Sequence, residues 1–224
     1  MKNQVLLSCL VLSLCWRGLL ADEGHQHSHP GEKLGRVSFP ISCAPAARKP
    51  FERGVALMHS FWYDEAEKQF RALENDYPSC AIAYWGEAMS LLSQLVSRPE
   101  EPDLKRGLEL VQRAQAIRAK TQRERDYIDA LAFFYRDYDK VDYQNRIEAY
   151  SRAMDEMYQQ YPNDLQAAVF YALSLLTWQV ELVNAADNHP AMFTFAIGTW
   201  LSPSEFPNVW SNFALRLYDA SLLH

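Results

Sequence analysis

The feature that most limits the folds open to this chain is a match with itself at an offset of 84 residues. Tyr77-Pro78 falls on Tyr161-Pro162, Ala83 on Ala167, Ala88 on Ala172, and Ser90-Leu91-Leu92 on Ser174-Leu175-Leu176. Each copy reads as the end of one helix, a proline turn and the start of the next. Such a unit cannot bury its apolar face alone, so successive copies must stack on one another. No stretch alternates with period two for long enough to make a sheet. The expectation is an all-α chain of helix-turn-helix repeats, an α-solenoid of about seven to eight helices.

Within the first copy, Gly54, Ala66, Phe70 and Pro78 are spaced by 12, 4 and 8 residues. Gly54 and Ala66 suit a close approach of two helices, Phe70 fills the gap to the neighbouring helix, and Pro78 stops the second helix. This spacing resembles that of the tetratricopeptide repeat, a helix-turn-helix unit of about 34 residues. In the second copy Pro162 recurs, while Met154 stands for the Phe and Tyr150 for the Ala. The wider stretches "LGRVSFPISC", "FERGVALMHSFWYDEAEKQF" and "CAIAYWGEAMSLL" resemble a mostly bacterial, largely uncharacterised group of secreted tetratricopeptide-repeat proteins, from Leu34 to Leu176. The resemblance implies a concave ligand-facing groove. Members of that group are longer and carry further histidine-containing helices, which residues 184–224 do not match. It therefore also implies a truncated member that holds only His59 of any histidine-based site.

Local signals place the helices. The first runs about Ala46–Tyr63, and Asp64 with Glu67 reads as a capping box opening a second helix to Tyr77. The third spans about Cys80–Val96, "SRPEEP" at Ser97–Pro102 is a loop, and the fourth covers Asp103–Ala119. Thr121 with Glu124 forms another capping box for a fifth helix to Tyr135. Helices six and seven are expected at Tyr143–Tyr161 and Asp164–Leu182.

Residues 1–21 read as a secretory leader: Lys2, a short apolar run from Val5 to Trp16, and a small residue at Ala21. The run is too short to span a bilayer, and no later segment reaches the roughly 18–20 apolar residues that spanning requires. The chain is expected to be secreted or periplasmic, and losing Lys2 and Arg17 with the leader takes its formal charge from −6 to −8. Basic residues are interspersed with acidic ones rather than forming a stripe, which argues against nucleic acid as a partner. Cys9 and Cys15 leave with the leader, so Cys43 and Cys80 remain as a candidate disulfide, the alternative being two small buried residues. The layout is then a leader (1–21), a flexible histidine-containing segment (22–43), the repeats (44–183) and an atypical hydrophobic segment (184–224), either a cap or the tail of a truncation.

Phe51, Val55, His59 and Trp62 follow one stripe of the first helix. In the tetratricopeptide-like register this stripe looks towards the groove, where Met58 joins it and Trp85, Met89 and Leu92 follow from the third helix. Phe51, Val55, Met58, His59, Trp85, Met89 and Leu92 are therefore the candidate peptide-binding face. The alternative is burial beneath a later part of the array, with His59 a hydrogen-bonded packing residue. The leading expectation is a non-catalytic scaffold that captures a protein or peptide segment. No glycine-rich phosphate loop, nucleophile-elbow serine or zinc-spaced cysteine pair is present, and no catalytic residue is assigned. A second reading is metal handling: His25, His27 and His29 alternate just past the leader and would hold Cu(II) or Zn(II) loosely, with His59 as a further candidate ligand. A third is a fragment of a longer, enzyme-like relative.

Overall fold

The structure, a computed structural model, describes residues 34–186, with side chains described up to Val180. A 3-10 turn at Pro45–Ala47 leads into seven helices: α1 (Arg48–His59), α2 (Tyr63–Asp76), α3 (Ala81–Leu92), α4 (Glu101–Ile117), α5 (Gln122–Tyr135), α6 (Tyr143–Gln160) and α7 (Leu165–Ala186). No strand occurs among the described residues. Each helix packs on the next in sequence, and α1 also meets α3 while α3 meets α5. The odd-numbered helices thus form an inner layer, with α2, α4 and α6 each packed against the two of them that flank it in sequence. This is an all-α helical repeat array, as the 84-residue self-match implied.

The spacing residues explain the hairpins. Phe70 of α2 lies between Gly54 of α1 and Gly86 of α3, where a β-carbon would come within 2.5 Å and 2.4 Å of its ring. Tyr135 of α5 uses Gly107 of α4 in the same way, at 2.1 Å. Its hydroxyl then donates to the carbonyl of Ala88 at 2.6 Å, tying α5 to α3.

Several helix ends differ from the sequence reading, for local reasons. Helix α2 begins at Tyr63 behind Trp62, with no side-chain cap, so Asp64 is already inside the helix and the Asp64–Glu67 capping box does not form. Asp64 and Glu65 still sit in the first turn, where the helix dipole favours negative charge. Helix α3 stops at Leu92 rather than Val96, because Ser93 turns left-handed at φ 46°. Pro102 is helical after all, in the first turn of α4 where no backbone donor is lost. Thr121 does cap α5: its Oγ1 accepts from the Glu124 N–H at 3.2 Å and donates to the Glu124 carboxylate at 2.6 Å.

Leu34–Ile41 has no regular structure, yet it is no loose linker. The segment expected to be flexible as far as Cys43 is, from Leu34 onwards, laid against the array. The Cys43–Cys80 disulfide fastens it to the residue that precedes α3. No helix among the described residues is long and apolar enough to cross a membrane.

Candidate functional site

One aromatic side chain comes from each inner helix: Phe51 from α1, Trp85 from α3, Tyr127 from α5 and Phe170 from α7. All four are essentially inaccessible to solvent. Trp85 stands at the centre, with ring centroids 6.3 Å from Phe51, 5.3 Å from Tyr127 and 5.4 Å from Phe170. Into this row the extended segment inserts Phe39, 5.0 Å from Phe51, 5.7 Å from Trp85 and 5.0 Å from Tyr127. Edge and tilted geometries of this kind add about 0.5–1.5 kcal/mol per pair beyond the area that the rings bury.

The segment's backbone is read by helix side chains. Glu52 of α1 accepts the Phe39 N–H at 3.1 Å, and Glu124 of α5 accepts the Ser42 N–H at 2.9 Å. Arg123 of α5 donates to the Pro40 carbonyl at 3.1 Å, and its guanidinium lies over the Phe39 ring at 4.3 Å. Arg123 is in turn fixed by Asp164, just before α7, at 2.6 Å, and the Tyr127 hydroxyl donates to the same carboxylate oxygen at 3.0 Å. Burial raises the Tyr127 hydroxyl well above the usual tyrosine range, and the Asp164 charge adds to this, so it stays a donor. Beside the segment lies a cleft of about 630 Å³, whose walls include Arg36, Ser38, Pro40, Asn163 and Leu165.

The seven residues expected to form an open groove are placed differently. Phe51, Val55, Met58, Trp85, Met89 and Leu92 are all core residues with at most 2% of their surface exposed, and His59 is buried too. Phe39 covers Phe51 and Trp85. Further along, α7 folds over α1: His59 Nε2 is hydrogen-bonded to Gln166 Oε1 at 2.7 Å, and its ring lies 5.1 Å from that of Phe170. Met89 receives a weak hydrogen bond from the Tyr150 hydroxyl of α6 at 3.5 Å. The stripe on the first helix holds for Phe51, Val55 and His59, whereas Trp62 falls past the helix end at His59 and is exposed. The first and last inner helices touch, and the face between them is filled from within the chain. His59 is a hydrogen-bonded packing residue.

Phe39, Glu52, Arg123, Glu124, Tyr127 and Phe170 were missed from sequence. Arg123 and Glu124 lie in "RAKTQRERD", which reads as a solvated helix face. The usable signal was Phe39 standing four residues before Cys43, because a disulfide there would pull the aromatic onto α3.

A second polar cluster joins α2, α3 and α4. The carboxylate of Glu87, wholly buried, takes hydrogen bonds from Arg106 at 3.1 Å and 3.3 Å and from Arg71 at 3.2 Å. Burial alone would raise Glu87, but the bonds from Arg106, Glu74 and Arg71 outweigh it and hold its pKa below the usual value. Burial, then the neighbouring Glu87, push the Glu74 carboxyl up to about 9. The two glutamates thus share one proton between two arginines, which matches a structural staple across three successive helices.

No group of three His, Cys, Asp or Glu able to hold a metal ion, around His59 or elsewhere, occurs among the described residues. His25, His27 and His29, with the leader, lie outside the described residues, as does everything after Ala186. The fold defines the chain as a helical repeat array, and the aromatic row with its seated segment defines the site. Searches for a matching family model, curated protein or solved structure found none.

Proposed function

We propose that this chain is a secreted, tetratricopeptide-like scaffold that binds a protein or peptide segment across its inner helices and carries no catalytic group. The observation that supports this reading is the seating of Leu34–Cys43. An irregular, extended stretch crosses α1, α3 and α5 with one aromatic side chain buried and its backbone held by helix side chains. Concave faces of repeat arrays bind extended segments in this manner. The leader-like residues 1–21 and the Cys43–Cys80 disulfide favour export, since disulfides persist in oxidising compartments.

The test is selection of peptides from a random display library against the chain lacking residues 1–21 and carrying Phe39→Ala/Cys43→Ser, which unseats the segment that fills the slot, with the same chain carrying Arg123→Ala in addition as counter-target. Enrichment of peptides that discriminate the first chain from the second is the expected result. No enrichment over a blank surface removes the binding reading.

A further inference from the structure

Chain segments that belong permanently to a helical core are usually held by helix–helix packing and by their own backbone ladders. Leu34–Cys43 is held otherwise. Its described main-chain hydrogen bonds across the array go to side chains: the Phe39 and Ser42 N–H groups to two glutamates, and the Pro40 carbonyl to an arginine. Its side chains alternate between out and in: Ser38 and Pro40 are exposed, Phe39 between them is wholly buried, and Val37 and Ile41 are half-buried. One deep anchor, exposed flanks and a backbone read by the host's side chains are the features of a bound peptide.

From this geometry we infer that the row Phe51–Trp85–Tyr127 is a binding site for an extended peptide presenting Phe followed by Pro, and that residues 35–42 are its built-in occupant. The inference rests on the peptide-binding reading above and names the ligand. Phe is selected because the slot is lined by three aromatic rings and capped by the Arg123 guanidinium. Proline at the next position fits for two reasons. It restricts the preceding residue to extended backbone, and it brings no N–H that needs a partner beside the exposed mouth. The residue two places after Pro must supply the N–H that Glu124 accepts, so Pro is excluded there. Acidic residues flanking the Phe are disfavoured by Glu52 and Glu124, whose carboxylates already face the backbone.

The internal occupant is favoured by two covalent links, the chain running on into α1 and the Cys43–Cys80 bridge. Both raise its effective concentration over any free competitor. A dithiol reductant removes the second link. Its two thiols are oxidised to a disulfide, its two electrons break the Cys43–Cys80 sulfur–sulfur bond, and its two protons end on the cysteine thiols. The segment is then held at one end only.

Two measurements on the full mature chain test this. The first is native-state hydrogen exchange with and without dithiol. The Phe39 and Ser42 amides are expected to exchange at least tenfold faster than the amides in the middle of α1 and α3 once the bridge is reduced. If they exchange only with global unfolding, the segment is integral core and the proposal is overturned. The second is fluorescence anisotropy with a labelled peptide of residues 35–42 and the Phe39→Ala/Cys43→Ser chain, with its fold checked by circular dichroism. Affinity at least tenfold above that of the oxidised parent chain, lost in the Phe39→Ala peptide, is the expected result. Equal binding of the two peptides, or binding of library peptides but not of this one, overturns the Phe-Pro assignment and leaves the broader reading standing. If no peptide of any sequence binds, both fall. Should the double variant not fold, the exchange measurement decides alone.

Discussion

The ring of Phe70 stands against Gly86 so closely that a β-carbon there would lie 2.4 Å from its Cδ1, while the far edge of the ring meets Gly54 in the same way. The ring is held on both sides, so it cannot retreat from one glycine without striking the other.

Gly86→Ala is therefore expected to destabilise the chain. Overpacking costs about 1–3 kcal/mol, which outweighs the roughly 1 kcal/mol that Ala gains over Gly inside a helix. Adding Phe70→Leu should recover part of the loss, so the two changes will be non-additive in a double-mutant cycle from urea denaturation. Additive losses would show that ring and glycine do not constrain each other.

Phe39→Ala removes a ring buried among three others. The expected loss in unfolding free energy is about 3–5 kcal/mol, the range for burying and then deleting a large aromatic. Phe39→Leu should cost less, because it keeps most of the volume. A loss below about 0.5 kcal/mol, typical of a surface site, would contradict the seating of this side chain.

Opening the Cys43–Cys80 bridge frees a loop whose ends are 37 residues apart in sequence. Loop-entropy arguments put the cost near about 4 kcal/mol for a loop of that length. A thermal scan with and without dithiol should show the drop in Tm, and the Cys43→Ser chain should be insensitive to the reductant.

The Glu74 carboxyl is pushed up to about 9 from an ordinary 4.5. Between those values the folded chain keeps a proton that the unfolded chain releases. The stability owed to Glu74 is thus complete below about 4.5 and falls as pH rises towards 9. Glu87 acts in the opposite sense, its contribution being lost as the pH falls below the usual carboxylate range. Glu74→Gln should therefore flatten the stability profile above neutrality, gaining most over the parent chain near pH 9 and least near pH 4.5. Denaturant titrations at those two pH values and at neutrality check this, and a variant whose profile parallels the parent's would contradict it.

The helices were legible because their signals are local. Glycine, alanine, phenylalanine and proline at fixed spacing, and Thr121 with Glu124 at an N-terminus, depend on residues a few places apart. The apolar stripe of α1 was equally legible as a stripe. What covers it was not, because the covering groups, Phe39 from one side and Phe170 with Gln166 from the other, are distant in sequence. Phe39 sits in a short irregular stretch whose alternation, Val37, Phe39, Ile41 and Cys43 between Ser38, Pro40 and Ser42, is too brief to mark it. Arg123 and Glu124 have the composition of a solvated face, and only the fold reveals that their helix belongs to the inner layer. Even the repeat misleads here: the 84-residue offset pairs Gly86 with Phe170, so the second copy presents a ring where the first receives one, that of Phe70.

The bond from Ser42 to Glu124 joins residues 82 positions apart, and Pro40 to Arg123 joins residues 83 apart. During synthesis, then, Phe39 leaves the ribosome long before its slot exists. At roughly 5–20 residues per second, several seconds pass before α5 follows it out. For that interval the chain carries an unsatisfied aromatic hook at its leading end, and its first two hairpins must wait open. Completing the N-terminal end of the array thus requires α5, made some eighty residues later, so the seating of Phe39 is a step that follows its synthesis.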